Sequence, residues 1–187
     1  SHPLQGQSPY SASKIGADKL AESFFCTYDL PVVTLRPFNT YGPRQSARAV
    51  IPTIISQALT RNTIHLGSLD TRRDFTYVDD TVAGFLAAAL SRNACGNTYN
   101  LGTGREIRIG DLANMIINMV GKTVKIKVDQ DRLRPDKSEV LQLISDYSKA
   151  GSDLDWHPCV SLDQGLEPTI KWISNNLHHY LPDTYLF

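Results

Sequence analysis

The sequence has no excess of either charge. Its 187 residues carry 19 Lys+Arg and 19 Asp+Glu. That balance excludes a nucleic-acid or acidic-membrane binder working through bulk positive charge. Cysteine is scarce as well: Cys26, Cys95 and Cys159 are widely spaced and form no C-x-x-C pair. Reduced thiols in a cytoplasmic protein are the expectation. The five histidines have no metal-ligand spacing, so no zinc site is expected. No apolar run approaches the roughly 20 residues of a membrane span. Low-complexity tracts and internal repeats are missing. Hydrophobic residues nonetheless make up 41% of the chain, enough for a packed core.

What is present is an alternation of strand and helix patterns. A helix is predicted from about Tyr10 to Tyr28, behind Ser8-Pro9, with Ala17, Leu20, Ala21, Phe24 and Tyr28 as its buried face. Residues 31–36 read as a strand and 37–48 as a loop. Ile51, Ile54, Ile55, Ala58 and Leu59 form the stripe of a second helix, with Pro52 in its first turn. Short strands follow at 64–66 and 73–78. Asp79 is expected to cap a helix reaching Ser91, with Val82, Phe85, Leu86, Ala89 and Leu90 inward. A strand at 97–101 leads to Gly102-Thr103-Gly104. A helix from Gly110 or Asp111, with Leu112, Ile116, Met119 and Val120 as its apolar face, is closed by Gly121. A strand covers 124–128 and a polar loop 129–138. The last helix opens at Ser161 with Gln164 as capping-box partner, and Leu162, Leu166, Ile170, Ile173 and Leu177 inward. Pro168 predicts a kink in it. Strands alternating with helices of this length indicate an α/β fold with parallel strands.

Three patterns carry chemistry. Tyr10 and Lys14 lie one turn apart on a single helix face. A positive charge there favours a phenolate, and such a tyrosine can take a proton from a sugar hydroxyl while a hydride leaves the same carbon. The same spacing also recurs by chance in many helices. The run 35–45, L-R-P-F-N-T-Y-G-P-R-Q, follows a strand directly, where α/β folds place ligand loops. Asn39 offers two-way hydrogen bonding and Arg44 a fork for phosphate. Its plain alternative is a rigid connection. Arginines in three loops, Arg44 and Arg48, Arg72 and Arg73, and Arg132 and Arg134, suggest convergence on a doubly charged anion, unless each is simply solvated.

Gly102-Thr103-Gly104 imitates a dinucleotide fingerprint. The third glycine position holds Ile107, and no acidic residue follows at the required distance. It is not expected to bind a cofactor phosphate.

Taken in order, S-P-Y-S-A-S-K at 8–14, L-R-P-F-N-T-Y-G-P-R-Q at 35–45, R-R-D-F-T-Y-V-D-D at 72–80, Y-N-L-G-T-G at 99–104, R-L-R-P-D-K-S-E-V at 132–140 and D-Y-S-K-A at 146–150 resemble the extended short-chain dehydrogenase/reductases, in their sugar-nucleotide epimerase and dehydratase branch. The wording of 36–53 looks most like the NAD-dependent 4,6-dehydratases acting on UDP-N-acetylglucosamine, as in legionaminic acid biosynthesis. Asp155 departs from the usual Leu-Gly-Trp before Trp156.

The resemblance implies the C-terminal part of a Rossmann-like parallel sheet (about 1–45 and 76–102) plus a smaller mixed α/β substrate-binding lobe (about 46–75 and 103–187). It implies Tyr10 as acid/base, Lys14 on the nicotinamide ribose, and Pro37 beside the nicotinamide ring. Asn39, Arg44, Arg73, Asn100 and Arg134 would hold the nucleotide sugar, and Arg48 an anion of cofactor or substrate. NAD is the implied cofactor, without a metal, and a homodimer the implied assembly. The reaction would be 4,6-dehydration through a 4-keto sugar. A 4-epimerase or decarboxylase, or a non-catalytic sugar-nucleotide-binding module, are the alternatives. The chain opens without Met and carries no glycine-rich phosphate loop. The expectation is therefore a piece of a longer enzyme, inactive alone and a poor NAD binder, with the outer face of residues 10–28 exposed and prone to self-association.

Overall fold

The computed structural model describes residues 5–133 and 140–180. Helix α1 spans Pro9–Tyr28. Ser8 caps it: its hydroxyl accepts the Ser11 N–H at 3.1 Å, and the Ser11 hydroxyl accepts the Ser8 N–H at 2.9 Å. Pro9 takes the first helical position, where its missing N–H costs nothing. Asp29 ends the helix in the left-handed region.

Strand β1 (Thr34–Pro37) pairs in parallel with β6 (Thr98–Leu101), and β2 (Asn39–Tyr41) with β5 (Phe75–Tyr77). β3 (Thr63–Leu66) pairs in parallel with β8 (Lys125–Val128). β4 (Arg72–Arg73) sits between β7 (Ile107–Arg108), antiparallel, and β9 (Gln142–Leu143), parallel. The remaining helices are α2 (Val50–Thr60), α3 (Val78–Leu90), α4 (Ile109–Val120), α5 (Ser148–Leu154) and α6 (Leu162–Asn175). The expected α/β architecture with parallel strands is what the chain adopts.

Two apolar cores result. The larger joins α2, α4 and α6 to β3 and β5, with Ile51, Ile54, Ile55, Leu112, Ile116, Leu166 and Ile173 fully buried. Tyr41 lies at its centre, edge-on to Phe75 and Tyr77, and its hydroxyl donates to the Leu162 carbonyl at 3.2 Å. Burial holds the Tyr41 phenol well above its ordinary range, and the nearby Tyr77, Asp80 and Asp163 add to the effect. The smaller core packs Tyr99, Leu101, Ala94, Ala150 and Trp156 against β1 and α3. Segment 147–156 therefore packs on β6, across the boundary expected after residue 102.

Two expected helix faces are reversed. No residue of α1 is buried. Leu20, Phe24 and Tyr28 are exposed by 60%, 43% and 71%, while Ser11, Ile15, Asp18, Ala21 and Phe25 turn toward the body, so Ala21 alone of the expected face lies inward. Asp18 fixes that orientation by accepting Arg36 Nη2 at 2.6 Å. In α3 the stripe Val82, Phe85, Leu86 and Leu90 also faces out, and Ala89 with it. The inward face is Asp80, Thr81, Gly84 and Ala88. Gly84 is needed there, because a Cβ would meet Leu101 Cδ1 at 2.7 Å. Apolar periodicity locates a stripe, but it does not say which body the stripe packs against.

Smaller differences have local causes. Residues 37–48 contain β2, and 73–78 is split into β4 and β5 at Asp74. Tyr77, not Asp79, is the N-cap of α3: the helix starts at Val78, so Asp79 and Asp80 fall inside its first turn, where negative charge suits the helix dipole. Met119 is exposed. β7, β9 and α5 are additional elements. α6 opens at Ser161 and Gln164 as expected and continues through Pro168 to Asn175; Leu177 belongs to the short 3₁₀ turn after it.

Candidate active site

Tyr10 and Lys14 share an exposed face in the first two turns of α1, with Lys14 Nζ 5.6 Å from the centre of the Tyr10 ring. The capping box at Ser8 fixes where this face begins. Pro37 ends β1 and is exposed. The next residue is tied back, Phe38 N–H donating to the Leu101 carbonyl at 2.8 Å. Asn39 opens β2 and donates its amide to the Asp74 carbonyl at 2.8 Å. One Asn39 oxygen thus stays available for a ligand, while its NH2 group is partly used.

The arginines do not all behave as expected. Arg44 adopts a left-handed backbone, φ 68°, and its guanidinium lies 5.1 Å from the Trp172 ring of α6. Such a cation–π contact stabilises the 42–48 loop against α6. Arg48 is exposed at the entry to α2. Arg73 donates to the carbonyl of Arg72, and Arg72 is paired with Glu106 at 2.9 Å. Asn100 donates to the Asp146 carbonyl at 3.1 Å, anchoring the start of α5. Arg134 lies outside the described residues. Among the described residues, no cluster of three His, Cys, Asp or Glu side chains could hold a metal ion. No described helix is long and apolar enough to cross a membrane.

Two residues that the motif reading passed over organise this region. Asp74 is fully buried. Its carboxylate accepts the Thr103 hydroxyl at 2.6 Å and the N–H groups of Thr103, Gly104 and Ser145 at 3.0–3.1 Å. A buried carboxylate surrounded by donors is the arrangement its desolvation demands. Asp80, also buried, accepts the N–H groups of Cys159 and Val160 at 3.0 Å each, while its carbonyl takes Trp156 Nε1 at 2.9 Å. The only hint in the sequence was that three acids, Asp74, Asp79 and Asp80, stand in the segment 72–80.

Asp74 also decides the status of Gly102-Thr103-Gly104. The amides of Thr103 and Gly104 are spent on an internal carboxylate, and a Cβ on Gly102 would strike Ser145 Oγ. Tyr10, Lys14 and Pro37 are exposed and open to a ligand.

With this geometry in view, comparison with known proteins is direct. The profile of the family described as GDP-mannose 4,6 dehydratase matches residues 1–169. The dTDP-D-glucose 4,6-dehydratase of Mus musculus is 32% identical over 96% of this chain and 51% of its own length. The solved dTDP-glucose 4,6-dehydratase of Bacillus anthracis, in complex with NAD, is 30% identical with a TM-score of 0.84. It is covered over 55% of its length by 94% of this chain. The UDP-glucuronic acid 4-epimerase of Bacillus cereus, in complex with UDP-glucuronic acid and NAD, is 32% identical with a TM-score of 0.84, over 94% of this chain and 54% of that one. The chain thus spans about half the length of the relatives it matches.

Proposed function

We propose a function from one premise: this chain belongs to the GDP-mannose 4,6-dehydratase family. The active enzyme comprises these residues together with a nucleotide-binding portion equivalent to the rest of its relatives. It catalyses NAD-dependent 4,6-dehydration of a nucleotide sugar, with UDP-N-acetylglucosamine as substrate. Residues about 1–45 and 76–102 belong to the NAD-binding domain, and about 46–75 and 103–187 to the substrate lobe. The enzyme is a cytoplasmic homodimer.

The observation that carries this reading is the Tyr10–Lys14 pair on one exposed helix face. The phenol oxygen of Tyr10 takes the proton of the sugar 4-hydroxyl. Lys14 holds the nicotinamide ribose and keeps positive charge beside that oxygen. Lys14 and Pro37 would hold NAD, which would supply reversible hydride exchange with the sugar. Asn39, Arg44, Arg73, Asn100 and Arg134 hold the nucleotide sugar, and Arg48 neutralises one of the bound anions. For Arg44 this requires leaving the Trp172 ring, and for Asn100 it leaves the carbonyl oxygen as the contact.

The second reading, 4-epimerisation, is favoured by the likeness to the Bacillus cereus enzyme. Product NMR on UDP-N-acetylglucosamine with the longer enzyme separates the two. A 4-keto-6-deoxy sugar supports dehydration, and a C4 epimer overturns it. Tyr10→Phe in that enzyme lowers kcat by about 10²–10⁴-fold while nucleotide binding persists. The 187-residue chain alone turns nothing over and binds NAD weakly. Calorimetry that finds tight NAD binding to it overturns that part of the proposal.

A further inference from the structure

A cavity of about 270 Å³ lies between the Thr103–Ile107 segment and the 158–162 segment that leads into α6. None of the described residues assigned above to cofactor or substrate lines it. Its two opposing walls are held by buried carboxylates rather than by each other. Asp74 fixes Thr103 and Gly104 on one side, and Asp80 fixes Cys159 and Val160 on the other. The space is therefore preformed, as small-molecule sites are.

The chemistry of the lining is specific. Phe75 and Tyr147 present aromatic surface, Ile107, Val160 and Leu162 add apolar groups, and polar groups make up about half of the lining. The Thr103 hydroxyl is committed to Asp74 at 2.6 Å. The Glu106 carboxylate is paired with Arg72 at 2.9 Å and accepts the Gln142 amide at 2.6 Å. Arg105 is different: it is exposed at the rim, and its guanidinium has no hydrogen-bond or ion-pair partner among the described residues. A small chamber of mixed lining, with two aromatic walls and one uncommitted cation at its mouth, matches a ring that carries an anionic group.

We propose that this cavity binds a small aromatic carboxylate, its ring between Phe75 and Tyr147 and its carboxylate on Arg105. The proposal is independent of the reaction assigned above. Benzoate is the probe, titrated into the 187-residue chain and followed by ¹H–¹⁵N NMR. Amide shifts are expected at Thr103, Gly104, Arg105, Tyr147 and Val160, saturating in the millimolar range suited to so small a ligand. Acetate, with the charge but no ring, and benzyl alcohol, with the ring but no charge, bind about tenfold more weakly. Arg105→Gln, at an exposed position, leaves the remaining spectrum unchanged and weakens benzoate by about tenfold. No saturable shift at these amides, equal affinity for acetate, or unchanged affinity in Arg105→Gln each overturns the proposal.

Discussion

The carboxylate of Asp74 accepts the backbone N–H of Gly104 at 3.0 Å, across 30 positions of sequence. The Gly102–Gly104 turn is an anion-binding turn after all, and the anion is the chain's own. The same aspartate gives its main-chain carbonyl to the Asn39 amide. One buried residue thus sets both the turn and the corner assigned to substrate.

Removing that carboxylate leaves the Thr103 and Ser145 N–H groups without their acceptor, while the Gly104 N–H keeps Ser145 Oγ at 3.2 Å and the Thr103 hydroxyl keeps the Arg105 carbonyl at 3.3 Å. Asp74→Ala is expected to cost at least about 3 kcal/mol of unfolding free energy. Asp74→Asn keeps one acceptor oxygen but sets an NH2 group against N–H donors, and costs about 2 kcal/mol. The control is Asp70, whose side chain is 84% exposed and pairs with Arg108 at 2.7 Å. Asp70→Ala changes stability by less than about 0.5 kcal/mol. Urea denaturation measures all three, and equal effects at 70 and 74 contradict the assignment.

Local chemistry was readable from the residues themselves. Ser8-Pro9 and Ser161 with Gln164 start helices where their side chains can satisfy orphan N–H groups. Gly121 closes α4 at φ 73°, the conformation only glycine adopts freely. The parallel pairing followed from the alternation of strands and helices. Long-range partners were not readable. Asp80 meets Cys159 and Val160 some 80 positions away, and nothing in 72–80 names them. Strands of two or three residues, such as β4, β7 and β9, carry no period to detect. The reversed faces of α1 and α3 share a different cause. Their apolar stripes are real, but the chain's own cores are filled from other sides.

Two helical glycines should respond to alanine with opposite sign. A Cβ at Gly16 would meet nothing within 4 Å. Gly16→Ala removes only unfolded-chain freedom and stabilises by about 0.5–1 kcal/mol. A Cβ at Gly165 would strike the Tyr41 hydroxyl and come within 2.7 Å of Tyr77 Cδ2. Gly165→Ala therefore destabilises by about 1–3 kcal/mol despite the same gain in helix propensity. Thermal unfolding of both variants checks the pair.

Stability should fall in alkali through the buried tyrosines. Burial raises the phenol of Tyr41, and those of Tyr77 and Tyr99, above their unfolded values. The folded state therefore keeps protons that the unfolded chain releases above pH about 10. The stabilisation is complete below that pH and is lost as pH rises further, at about 1.4 kcal/mol per pH unit for each such group. Tyr41→Phe starts about 1 kcal/mol lower, having lost the bond to Leu162, but declines less steeply. Urea midpoints at pH 8 and pH 11 for both proteins decide it. Parallel declines rule out Tyr41 as a contributor.

The outer stripe of α1 should drive association rather than folding. Leu20 and Phe24 are 60% and 43% exposed, and neither belongs to a core cluster. A stripe of this kind on a free helix face is a contact surface. Leu20→Glu with Phe24→Glu is expected to leave unfolding free energy within about 0.5 kcal/mol and to shift the chain toward monomer in light scattering. Ile15→Glu, on the inward face, does the reverse: it loosens α1 from the body without relieving association. If the outer pair lowers stability by more than about 1 kcal/mol, these side chains contribute to the fold and the association reading is overturned.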